Sequence, residues 1–185
     1  MLSTAGFKEV YSMEGGLRAW EGLAATGGPD AGMARFPEDA PVEELIALAW
    51  SLEEGSRKFY TELQALLTDR EAVDLFQDLV VAEEHHQSAL AELHRKFTGK
   101  TAGTGTSGDS MEGGMNVFEA LEWARGKKLT DVLDLAMGLE INSYDLYIKM
   151  ERRGSDTKAK ELFSQLSVSE KVHLERLAGL LERKL

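Results

Sequence analysis

The feature that most constrains this chain is an internal repeat. Residues 45–93 reappear without a gap 87 positions later, so that Glu53 is answered by Glu140, Glu83 by Glu170 and His86 by His173. An apolar frame recurs at the same offset: Leu52 with Leu139, Tyr60 with Tyr147, Phe76 with Phe163, Leu90 with Leu177, and Leu93 with Leu180. A single Glu is expected on a solvated helix face, and a lone Glu-x-x-His is a weak motif. Six ionisable residues recurring in order inside a recurring apolar frame carry more, because a buried Glu is costly unless it is paired or bound to a metal. Glu83 and His86 are three residues apart and share one helix face, as do Glu170 and His173. Two copies of this pattern would bring four carboxylates and two imidazoles into one core, a donor set suited to a pair of iron or manganese ions.

The repeat lies in helical sequence. Leu45, Leu48, Ala49, Leu52, Ser56, Phe59, Tyr60 and Leu63 keep to one stripe and predict an amphipathic helix from Val42 to Leu67. Pro41 is read as part of its first turn, where a missing N–H costs nothing, and Glu43 and Glu44 suit its positive end. Asp69 is the expected N-cap of a second helix reaching Phe97. Gly99 to Gly114 reads as a loop, followed by a short helix from Val117 to Arg125 that Gly126 ends. A third long helix is expected from a cap at Thr130 to Arg153, then a turn at Gly154-Ser155-Asp156 and a fourth helix to the C-terminus.

Tight connections join the first helix to the second and the third to the fourth, while about 30 residues separate the second from the third. The expected fold is therefore all-α: two antiparallel helix hairpins joined by a long crossover, the ferritin-like arrangement among four-helix bundles. His85 and His94 have no counterparts at the 87-residue offset, and Glu84 pairs with Lys171, so these three are expected at the surface.

Bulk properties exclude several function classes. A net charge of −11 argues against nucleic acid as a partner, since phosphate binding needs a basic surface. The absence of cysteine removes disulfides, thiolate metal sites and cysteine nucleophiles from this chain. No apolar run is long enough to span a bilayer, and the start lacks the apolar core of a signal peptide, so no membrane partner is expected and the cytoplasm is the expected address.

With these residues in place, 42–185 resembles the rubrerythrin-type ferritin-like di-iron proteins. The resemblance implies metal-ligand roles for Glu53, Glu83, His86, Glu140, Glu170 and His173, and two iron ions as cofactor, with manganese or a mixed pair as the alternative. Rubrerythrins proper carry a further glutamate on the third helix that can exchange with a histidine as a ligand. Here the place three residues after Glu140 is Ser143, which puts that exchange in doubt. Rubrerythrins also end in a cysteine-ligated electron-delivery module, whereas this sequence reaches Leu185 without cysteine, so an external electron-donor protein is expected. Tyr60 and Tyr147 are the candidate catalytic residues, each expected either to hydrogen-bond a ligand carboxylate or to reach the metals.

The first 28 residues are different in kind. Ala5 to Tyr11 and Glu14 to Trp20 resemble the last strand and helix of a rhodanese domain, without that family's catalytic loop. Residues 1–28 are thus read as a rhodanese-like remnant, 29–40 as a proline-containing linker and 41–185 as the bundle. Four carboxylates balance two divalent ions, so the reduced site would be neutral and poised for a two-electron cycle. The expected function is an oxidoreductase that reduces hydrogen peroxide or oxidises Fe(II), with peroxide or O₂ as small-molecule partner and a homodimer as the assembly. The alternatives are a protein that binds or buffers metal without turnover, and a structural bundle with an empty site.

Overall fold

The computed structural model of the chain describes residues 40–100, 102 and 108–185. The rhodanese-like head and nearly all of the linker lie outside the described residues. Among the described residues there are five α-helices: α1 (Val42–Leu63), α2 (Arg70–Thr98), α3 (Val117–Ala124), α4 (Leu129–Arg153) and α5 (Thr157–Lys184). The long helices pair as α1 with α2 and α4 with α5, and α2 also meets α5. This is the all-α, ferritin-like bundle of two hairpins, with α3 on the crossover. No helix among the described residues is long and apolar enough to cross a membrane.

The local signals explain most of the helix ends. Asp69 accepts a hydrogen bond from the Ala72 amide at 3.1 Å, and Asp156 accepts one from Ala159 at 2.9 Å, so each caps the second helix of a hairpin. Asn116 caps α3 in the same way through the Glu119 amide. Gly99 ends α2 with φ +71°, the left-handed conformation that glycine adopts without penalty.

Three expectations need correction. Pro41 is the residue before α1 rather than within its first turn, and its carbonyl accepts from the Glu44 and Leu45 amides. α1 stops at Leu63, and Gln64–Leu66 tightens into a 3₁₀ turn before the hairpin, so the helix does not run to Leu67. Helix α4 begins at Leu129, with Lys128 as cap residue and no side-chain cap. Thr130 therefore lies inside the first turn, two residues past the cap position and too late to satisfy the leading amides.

The core has three layers along the bundle axis. One apolar cluster holds Phe59, Tyr60, Leu63, Phe76, Leu79, Leu133, Leu139, Leu177 and Leu180. The other holds Ile46, Leu52, Leu90, Leu93, Leu146, Tyr147, Met150 and Phe163. On each of the four long helices the buried polar residues fall in sequence between these clusters, among them Glu53 and Ser56, Glu83 and His86, Glu140 and Ser143, Glu170 and His173. Repeat mates sit in opposite clusters: Tyr60 and Phe76 in one, Tyr147 and Phe163 in the other. The repeat is therefore expressed as an approximate two-fold relation through the polar layer.

The crossover lies against this layer. Ser110 bridges to Asn116, and the Met111 amide donates to the Met115 carbonyl at 2.8 Å, forming a small strap in which Met111 is fully buried. The strap crosses α1 at Gly55, where a Cβ would overlap the Ser110 carbonyl, and reaches α4 at Asn142, against Gly113 with φ +75°. Gly55 thus allows a close backbone approach beside Glu53 that no larger residue permits.

Candidate metal centre

All six residues singled out by the repeat are buried, none more than 5% exposed. Helical spacing places Glu83 and His86 on the inward face of α2, and Glu170 and His173 on that of α5. Glu53 and Glu140 project from α1 and α4 into the same layer. His86 Nδ1 lies 3.4 Å from Glu53 Oε2, 3.2 Å from Glu83 Oε2 and 3.1 Å from Glu170 Oε1. His173 Nδ1 lies 3.0 Å from Glu140 Oε2 and 3.1 Å from Glu170 Oε2. The two imidazoles stack with centroids 5.5 Å apart.

Two overlapping sets of four donors result. Glu53, Glu83, His86 and Glu170 form one, and Glu83, Glu140, Glu170 and His173 the other; within each set one donor atom from every residue lies within 4.8 Å of the rest. Glu83 and Glu170 belong to both. The two acids of the Glu-x-x-His motifs are thus shared, while Glu53 with His86 and Glu140 with His173 stand at opposite ends.

Tyr60 and Tyr147 join the cluster by crossing it. Tyr60 on α1 donates to Glu140 Oε1 on α4 at 2.5 Å, and Tyr147 on α4 donates to Glu53 Oε1 on α1. Of the two roles open to these phenols, the observed contact is the hydrogen bond to a carboxylate.

The residues fit a pair of cations on two observations. Among the described residues, the buried polar side chains include no lysine or arginine, so four buried carboxylates face only imidazoles and hydroxyls. Glu170 Oε1 is buried without a hydrogen-bond partner: His86 Nδ1 is 3.1 Å away but not aligned for a hydrogen bond. A buried carboxylate oxygen with an ion-pair contact but no hydrogen bond is under-satisfied, and a bound cation would supply the missing partner.

Protonation does part of that work in the metal-free cluster. Burial, with the neighbouring charges of Glu53 and Glu170, pushes the Glu83 carboxyl well above the usual carboxylate range. Burial and the charge of Glu170 raise Glu140 to about 8, against the opposing pull of His173. Glu170 moves the other way: burial alone would raise it, but His173 and His86 hold it below the ordinary range. Burial would lower His173, yet Glu140 and Glu170 outweigh it and raise the imidazole to about 10. His86 is likewise held protonated, burial being overcome by Glu53, Glu170 and Glu83. Metal binding would displace protons from these groups, since ligation needs carboxylates and neutral imidazoles.

His85 and Glu84 are exposed, as is Lys171, in keeping with their expected surface positions. His94 is only half-buried, with Nδ1 3.0 Å from the Lys100 carbonyl. Ser143 is buried, and its hydroxyl donates to the Leu139 carbonyl at 3.3 Å. Sequence reasoning missed the residues around the ligands: Ser56 at the position matching Ser143, Ser169 beside His86, and the Gln87–Glu54 pair. The available signal was the repeat itself, because Ser169, Gln87 and Glu54 are positions where its two copies disagree.

The comparisons with known proteins agree with this geometry. The family model described as rubrerythrin matches residues 44–181. A solved structure of a hypothetical protein from Pyrococcus furiosus is similar, with 25% sequence identity and a TM-score of 0.64, covering 81% of this chain and 91% of that one. The comparison with curated proteins gave no match.

Proposed function

Because this chain belongs to the rubrerythrin family, we propose that Glu53, Glu83, His86, Glu140, Glu170 and His173 hold two iron or manganese ions and that the protein is an oxidoreductase. Its reaction is reduction of hydrogen peroxide or oxidation of Fe(II). The observation that carries this reading is the pair of overlapping donor sets sharing Glu83 and Glu170. Shared carboxylates are what two adjacent cations need, and a single ion would leave two acids uncompensated.

Bound there, the ion pair supplies a two-electron couple in one place. The protein's own groups do the rest. Glu83 and Glu170, which belong to both donor sets, would help to hold both ions, with Glu53 and His86 completing one set and Glu140 and His173 the other. The Tyr60 and Tyr147 hydroxyls hold Glu140 and Glu53 in orientation from the opposite helix. Both imidazoles come from α2 and α5. On the α1 and α4 side, the positions one turn beyond Glu53 and Glu140 are the small, buried residues Ser56 and Ser143. For peroxide reduction, the electrons would come from a separate donor protein.

The test begins with anaerobic purification and metal analysis, with about two iron or manganese ions per chain expected. The reduced, loaded protein is then mixed with peroxide or with O₂ in a stopped-flow spectrometer. Faster oxidation by peroxide supports the peroxidase reading, and faster reaction with O₂ favours oxidation of Fe(II). If a fully loaded protein responds to neither, a metal-holding protein without turnover stands instead. That second reading is favoured by Ser143, which occupies the place of an exchangeable ligand with a hydroxyl hydrogen-bonded to its own helix.

A further inference from the structure

The ligands obey the repeat, but their surroundings do not. Ser169 Oγ lies 2.9 Å from His86 Nε2. With Nδ1 turned to the carboxylates, Nε2 carries the proton and donates it to this hydroxyl. Such a contact fixes the ring's tautomer and tilt and raises the basicity of the ligating nitrogen. The residue matching Ser169 across the repeat is Ala82, which has no acceptor. Among the described residues, both side-chain hydrogen bonds of His173 are made through Nδ1.

A second difference falls on the same side. Gln87, next to His86, donates to Glu54, next to Glu53, at 2.7 Å. Arg57 holds Glu54 through two further hydrogen bonds, at 3.0 and 3.1 Å. This ties α1 to α2 one residue beyond each ligand. The matching residues at the other end are Leu174, Ile141 and Tyr144, and Ile141 is 50% exposed. No such polar tie is available between Ile141 and Leu174.

We propose that the two metal positions are unequal, and that Ser169, as a positioning residue for His86, makes the Glu53–His86 position the tighter one. The inference rests on the metal reading above. A pre-oriented imidazole and a carboxylate on tied helices lose less freedom when an ion arrives, so the first ion settles at this end. The second joins at Glu140 and His173, completing the pair through Glu83 and Glu170.

The experiment titrates the metal-free full chain with Mn(II), following the electron paramagnetic resonance signal of the free ion. The unaltered protein should bind in two steps. Ser169→Ala should weaken the first step about tenfold, and Ser169→Thr, which keeps the hydroxyl, should restore it. Ala82→Ser gives His173 the missing acceptor and should tighten the second step. Circular dichroism checks that helicity is unchanged. A first step in Ser169→Ala within about twofold of the original overturns the proposal while leaving the metal site standing. If that variant loses its fold, Ala82→Ser decides, and an unchanged second step overturns the proposal. Absence of Mn(II) binding by the unaltered chain overturns the metal reading and this inference with it.

Discussion

Removing the metals and raising the pH should destabilise this bundle, contrary to the usual behaviour of carboxylate-rich proteins. In the metal-free protein Glu140 titrates at about 8, from an ordinary value of 4.5. His173 titrates at about 10, from 6.5. Both shifts are upward, so between pH 6.5 and 8 each of these groups keeps a proton that the unfolded chain has largely released, and Glu83 and His86, also shifted upward, add to the same trend. Stability falls with pH wherever the native state holds more protons, by about 1.4 kcal/mol per pH unit for each proton. For Glu140 the loss begins above the unfolded value of 4.5 and ends near 8. For His173 the contribution is fully present below 6.5 and gone above about 10. Glu170, whose folded value is depressed, contributes stability that is present above 4.5 and is lost only in acid, outside this window. With both window ends half-titrated, the two groups together cost about 3 kcal/mol across it, or a fall in Tm of roughly 6–12 °C for a bundle of this size. Thermal melts of chelator-treated protein across the window measure this directly. Glu140→Gln should reduce the slope, and metal-loaded protein should lose it, because the ions replace the protons. A Tm that is flat or rises with pH in the metal-free protein would refute the proton-filled cluster and the charge argument built on it.

Other outcomes follow from the same geometry. Glu83→Ala or Glu170→Ala should remove most of both ions, whereas Glu53→Ala or Glu140→Ala should leave about one per chain, because only the first two acids belong to both donor sets; metal analysis of folded variants checks this. Tyr60→Phe and Tyr147→Phe each delete a buried hydrogen bond to a carboxylate and should cost about 1.5–3 kcal/mol in denaturant melts, with helicity retained. Gly55→Ala should displace the crossover strap where it meets α1, seen as faster amide exchange around Met111. A shortened protein beginning at Pro37 should remain soluble, helical and able to bind metal; loss of folding or metal would mean that the first residues pack into the bundle.

The sequence alone determined the hairpins, the long crossover and the six buried glutamates and histidines of the polar layer. Helical periodicity reports which face of a helix a side chain occupies, and the repeat reported it twice. Charged residues held on the core side of both copies could not be packing material, so Glu53 and Glu140 were legible beside the two Glu-x-x-His motifs. Asp69 was legible because capping is a local interaction, whereas Thr130 misled because a good cap residue does not say where a helix must start. Only the tertiary structure decided which carboxylates are shared. Glu53 and Glu83 are both inward-facing glutamates in sequence, and what makes Glu83 common to both sets is the relative rotation and separation of four helices. The crossing of Tyr60 to Glu140 and of Tyr147 to Glu53, the approach of Ser110 to Gly55, and the contact of Ser169 with His86 have the same origin. Each joins residues on different elements, and no periodicity within one helix encodes the distance to another.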